Sequence, residues 1–204
     1  GSPEKGRSAL DAVELMNVGV NYLREHVADK VRIHYTITDG GMVPNIVPET
    51  ASVWYFVRAP ERKMLDDVFA RVRKVAEGAA LMTETEVAVE YRGACSSVLN
   101  NHYLADLQFQ AMKQIGPIEF TDAELDFAEK INRLYASADP SDLFGELKIP
   151  ADQKERVDRL YGAPLIGENS PSMDAEVIGT GSTDVGDVSW ITPLSMLETA
   201  CFPT

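Results

Sequence analysis

Asn45 and Arg58 are the residues whose types and setting suggest chemistry first. Both lie in residues 39–60, DGGMVPNIVPETASVWYFVRAP. Asn45 sits between Pro44 and Pro48, where the backbone is held extended or turned. Arg58 closes an uncharged strand-like run, residues 51–57. A guanidinium offers a planar fork that grips a carboxylate through two parallel hydrogen bonds. A loop folded back beside its own strand would add the Asn45 amide, so the pair reads as a carboxylate holder. Plainer readings stay open: Asn45 serving only a turn, since Asn tolerates left-handed geometry, and Arg58 standing in solvent.

Other chemistries are less well supported. His26, His34 and His102 stand at no ligand spacing from one another or from a cysteine, and HExxH and CxxC are absent. Taken alone, the chain therefore contains no readable zinc site. His26 and His102 read as surface residues. His34 lies on the polar face of a strand just ahead of Gly40-Gly41 and stays a candidate. No GxSxG elbow accompanies Ser182 or Ser189. Residues 179–186, GTGSTDVG, lack the third Gly or the Lys of a dinucleotide or phosphate loop. They read either as a turn in which Ser182 or Asp184 accepts backbone N–H bonds, or as part of a site.

The elements that must position these groups follow from periodicity. Ser8 and Asp11 form a capping box, and Leu10, Val13, Met16, Val20, Leu23 and Val27 make the apolar stripe of a first helix. Residues 31–38 alternate, with Val31, Ile33, Tyr35 and Ile37 on one face and Arg32, His34, Thr36 and Thr38 on the other. The strand 51–57 follows. Pro60 suits the first turn of a second helix, striped by Leu65, Val68, Val72, Val75 and Ala79. Residues 85–92 alternate again and predict a third strand. Helix, strand, strand, helix, strand is an α+β sandwich, a ferredoxin-like unit lacking its first strand.

Residues 93–101 are small and polar and mark a boundary. Leu104, Leu107, Ala111, Met112 and Ile115 predict a third helix, ended by Gly116-Pro117. Thr121 and Glu124 cap a fourth, with Leu125, Ala128, Ile131 and Leu134 on its stripe. Residues 137–176 read as a long excursion with one short helix near 151–161.

Composition narrows the function. A chain of 204 residues suits one large or two small domains, each able to bury a core. A net charge of −13 disfavours nucleic acid and anionic membranes as partners. No apolar run is long enough to span a bilayer. Cys95 and Cys201 are too few and too far apart for a disulfide framework, which fits a reducing, cytoplasmic setting.

Five segments carry a family resemblance: residues 6–27 (GRSALDAVELMNVGVNYLREHV), 31–48 (VRIHYTITDGGMVPNIVP), 55–61 (YFVRAPE), 76–87 (AEGAALMTETEV) and 181–193 (GSTDVGDVSWITP). Together they resemble the dizinc amidohydrolases and carboxypeptidases that include aminoacylases and glutamate carboxypeptidases. The resemblance implies two parts: residues 3–93 as the inserted lid or dimerisation domain, and residues 94–204 as part of the C-terminal half of the α/β zinc-peptidase catalytic domain. It implies hydrolysis of N-acyl or aminobenzoyl amino acids by a zinc (or other divalent metal) enzyme, and a homodimer or higher oligomer formed through the lid. Arg58 matches the arginine that grips the substrate's terminal carboxylate. Asn45 matches an asparagine that reaches substrate, often in the partner subunit's site. His34 matches a histidine of the subgroup, and Asp184, with Ser182 and Thr183, matches a position near the metal.

The chain departs from the pattern. The strand and catalytic histidine that precede such a lid, the zinc ligands, and the last histidine after a CFPT-like motif are missing. The expectation is a fragment that is inactive alone, with no catalytic or metal-ligating residue of its own and no bound zinc. The alternative is a non-catalytic dimerisation or binding module.

Overall fold

A computed structural model describes residues 2–134, 151–171, 181–197 and 199. The chain forms two compact units, residues 1–97 and 98–204.

In the first unit a short 3-10 turn, Pro3–Lys5, leads to helix α1, Ala9–Arg24. Ser8 caps α1, its hydroxyl accepting from the Asp11 amide at 3.2 Å. Strands β1, Arg32–Asp39, and β2, Ser52–Arg58, then pair as an antiparallel hairpin. Helix α2, Arg62–Thr83, begins just beyond Pro60 rather than at it, with Glu61 as its N-cap.

The alternation in β1 decides the packing. Ile33 is buried on the inner face beneath α1 and α2, preceded by buried Val31, and they join Val20, Leu23, Val68 and Val72 in one core. Tyr55 and Val57 of β2 close over its edge. Gly19 lets α2 approach α1: a Cβ there would stand 2.6 Å from a Val75 methyl. One polar tie crosses this layer, where the Tyr55 hydroxyl donates to the Oδ1 of buried Asn17. Burial pushes the Tyr55 hydroxyl above its ordinary pKa, nearby Tyr35 adds to the rise, and Arg24 opposes it.

The expected third strand is not formed. The unit's sheet has two strands, β1 and β2. A strand needs a ladder partner, and alternation alone does not supply one. Val87, Val89 and Tyr91, read as the buried face, are 44%, 51% and 66% exposed. The Thr85 amide donates to the Ala80 carbonyl at 3.0 Å at the start of the segment, Tyr91 meets Phe69 edge-on at 6.3 Å, and Arg92 lies over Trp54.

The second unit contains α3, His102–Ile115, α4, Asp122–Leu134, α5, Ala151–Tyr161, and the short α6, Val185–Ser189. Asn101 caps α3 through its side chain, accepting from the Leu104 amide at 2.9 Å. Thr121 and Glu124 form the expected reciprocal box on α4. Asn169 donates to the Met112 and Gly116 carbonyls at 2.8 Å each and finishes the end of α3. No strand occurs among the described residues of this unit, so the sheet of an α/β half-domain is not seen there. Of the excursion at 137–176, residues 137–150 and 172–176 lie outside the described residues. So do residues 176–180 and Cys201.

The Asn17–Tyr55 tie yields a stability prediction. Asn17→Ala leaves a half-buried hydroxyl without its acceptor and should lower stability by about 1–3 kcal/mol. Because the folded-state pKa of Tyr55 is raised, its contribution is complete below the ordinary tyrosine value near 10 and is lost as pH climbs above it. Denaturant midpoints should fall between pH 9 and pH 11 (roughly bracketing that value), and Tyr55→Phe should flatten the fall.

Candidate functional site: the outer face of the hairpin

The inward alternation forces the other half of the hairpin outward. Arg32, His34 and Thr36 of β1 and Trp54, Phe56 and Arg58 of β2 are all exposed. The register pairs Arg32 with Arg58, His34 with Phe56 and Thr36 with Trp54. His34 and Arg58, singled out from sequence, therefore share a face and lie one pair apart along the ladder.

Asn45 is elsewhere. Arg58 pairs with Arg32 at one end of the ladder, and the 40–51 loop leaves from the other, where Asp39 pairs with Ser52. Those ends are about 20 Å apart at ~3.3 Å per residue. Two contacts hold the loop at its own end. The Ala9 amide at the start of α1 donates to the Pro48 carbonyl at 2.9 Å, and the Gly41 amide donates to Asp39 Oδ1 at 3.1 Å. Within one chain the hairpin separates Asn45 from Arg58, so the two do not clasp a single carboxylate. The sequence showed the loop joining β2 but not the direction in which it leaves.

A row of rings and cations runs along the face. Arg92 lies 5.5 Å from the Trp54 ring, Trp54 and Phe56 are 5.2 Å apart, and Arg58 lies 5.8 Å from Phe56. Cations over ring faces are held by the ring quadrupole. Glu90 stands 3.6 Å from Arg92. The Arg32 guanidinium donates to the carbonyls of Asp29 and Val31. Sequence reading missed Arg32, Trp54, Phe56 and Arg92. Strand parity could have named the first three, whereas Arg92 required the path of the segment beyond α2.

An open groove of about 750 Å³ is lined by residues including Arg24, Val27, Arg32, Ile33, His34 and Tyr35. Arg24 reaches across the end of α1 and donates to the Ile33 carbonyl at 2.6 Å.

In the second unit, Asp184 is the N-cap of α6 but makes no side-chain cap bond. Thr183 takes the role expected of Ser182 or Asp184, its hydroxyl accepting from the Val185 amide at 3.3 Å. Ser189 is buried, donating to the Gly186 carbonyl at 2.5 Å and accepting from the Leu99 amide at 2.8 Å. His26, His34 and His102 are exposed. Among the described residues no three His, Cys, Asp or Glu side chains converge as metal ligands. No helix among them is long and apolar enough to cross a membrane.

No family model matches the chain. It is 41% identical over 98% of its length to one of the subunits of p-aminobenzoyl-glutamate hydrolase from Escherichia coli (strain K12), and spans 42% of that protein. The mouse Xaa-Arg dipeptidase is 34% identical over 43% of the chain, which covers 20% of the dipeptidase. N-acetyldiaminopimelate deacetylase of Leuconostoc mesenteroides is 31% identical over 42% of the chain, covering 22% of the deacetylase. The chain spans less than half the length of these curated relatives. Along nearly its whole length the chain is similar to this group of amidohydrolases and peptidases.

Proposed function

We propose that these residues serve a metal-dependent amidohydrolase acting on N-acyl or aminobenzoyl amino acids, in which they hold the substrate's free carboxylate and join subunits. The observation that carries this reading is the 41% identity running along 98% of the chain to the p-aminobenzoyl-glutamate hydrolase polypeptide. Residues 3–93 act as the lid and residues 94–204 as part of the catalytic domain, in a cytoplasmic enzyme.

Arg58 takes the carboxylate. It ends β2 on the exposed face of the hairpin. His34 supports the same ligand from the neighbouring strand. Asn45, held at the opposite end of the hairpin, serves a different site, that of a partner subunit. Ser182, Thr183 and Asp184 lie at the start of α6 and border the metal region of the complete enzyme. No step of the reaction is assigned to a metal held by the residues described.

Oligomerisation has physical support in the pairing of β1 with β2 alone among the described residues. An unpaired edge offers backbone donors and acceptors to another strand. Light scattering at micromolar concentration should give a dimer or larger species. A clean monomer would contradict this part of the proposal.

The carboxylate role is tested in the intact gene product. Arg58→Ala should raise KM for p-aminobenzoyl-glutamate by about tenfold to a hundredfold, the loss of one charge-assisted contact. Its unfolding midpoint should stay near that of the parent. An unchanged KM would return Arg58 to solvent, and no amide hydrolysis by the unsubstituted intact product would remove the enzymatic reading.

A further inference from the structure

Residues 6–9 tie together three parts of the first unit. Gly6 packs against Val47 of the 40–51 loop, where a Cβ would stand 3.1 Å from a Val47 methyl. Ser8 caps α1, and the Ala9 amide donates to the Pro48 carbonyl at 2.9 Å. Arg7 reaches the end of α2, 77 residues on: its Nε donates to Glu84 Oε2 at 2.9 Å, and its Nη2 stands 2.8 Å from the same oxygen. Its Nη1 donates to the Gly6 carbonyl at 2.9 Å. Glu84 is the only non-glycine residue with a positive φ among the described residues, at φ 53° and ψ 40°. It occupies the left-handed position at which the helix ends, where the Thr85 amide reaches back to the Ala80 carbonyl. Glycine is favoured at such a position because a Cβ crowds the neighbouring carbonyl. Capping alone therefore does not account for a glutamate there, whereas its carboxylate on Arg7 does.

We propose that the Arg7–Glu84 ion pair is a positioning latch: it holds residues 6–9 on the end of α2 and so seats the 40–51 loop that carries Asn45. The latch stands on this geometry; the use of Asn45 on substrate rests on the proposed function. Gly6 and Ala9 lie on either side of Arg7, and they meet the loop at two adjacent residues, Val47 and Pro48. A movement of Arg7 is therefore passed to the loop at both points. Pro48 in turn packs on the start of the loop: a Cβ on Gly41, which has φ 97°, would stand 2.9 Å from the Pro48 ring. Asn45 lies between these fixed points. The two side chains of the ion pair are 47% and 71% exposed, so salt screens their attraction. The seating of the loop should loosen as ionic strength rises, while the helices stay folded.

Amide hydrogen exchange in the 204-residue chain, followed residue by residue in ¹⁵N spectra, tests the latch. Arg7→Gln should speed exchange at Ala9 and Ile46 by about twofold to fivefold at low salt, the scale of an exposed ion pair, and leave the α3 amides unchanged. Arg7→Lys should restore part of the protection, and about 1 M salt should bring the parent chain toward Arg7→Gln. Glu84→Gly separates a latch from a cap. It should speed exchange at Ala9 and Ile46 while Thr85 stays as protected as in the parent, since glycine suits the left-handed position. The proposal is overturned if Arg7→Gln leaves Ala9 and Ile46 unchanged, or if Glu84→Gly leaves them unchanged, the result expected of a cap alone. Exchange is read without substrate, so the two claims fail separately. Faster loop exchange in Arg7→Gln with no amide hydrolysis by the intact gene product supports the latch and sinks the enzymatic reading alone, and hydrolysis with unmoved loop exchange sinks the latch alone.

Discussion

The hairpin's period-two alternation, buried on one side by two helices, is the constraint on which the rest depends. Two strands alone are barely stable in water. Here Val31, Ile33, Tyr55 and Val57 pack with Val20, Leu23, Val68 and Val72, and that burial fixes the register. A slip of one residue would carry every inner side chain into solvent and every outer one into the core. The same burial therefore sends Arg32, His34, Trp54, Phe56 and Arg58 outward as a set. Their proximity is a consequence of core packing and needs no dedicated contacts among them.

Much of this was legible in the sequence because it is local. Ser8 and Thr121 cap the helices they were expected to cap, and the stripes of α1 and α2 supply the core. The faces of β1 followed from parity as far as Tyr35, whereas Ile37, read with the inner set, is 42% exposed beside a register shift. What failed was nonlocal. Residues 85–92 carry a strand's alternation but have no ladder partner, and alternation does not encode a partner. Asn45 and Arg58 are thirteen positions apart (58 minus 45), yet they fall at opposite ends of a hairpin, because the turn direction depends on how Pro48 docks against the start of α1. Arg92 reached the site only through the path of an irregular segment.

The two units differ in what they offer chemically. The first presents cations and rings on a helix-backed sheet. In the second, Ser189 and Asn169 spend their hydrogen bonds on backbone groups, which makes them structural. The similarity to amidohydrolases and peptidases extends along both units.

The central claim is that the outward face of the hairpin is the ligand face. Side-chain ¹⁵N spectra of the arginines and tryptophans, recorded as p-aminobenzoyl-glutamate is added, test it most directly. The account predicts saturable shifts at Arg32, Arg58 and the Trp54 indole, with Trp190 and Arg133 of the second unit unmoved. Saturation with those three signals unchanged would contradict it.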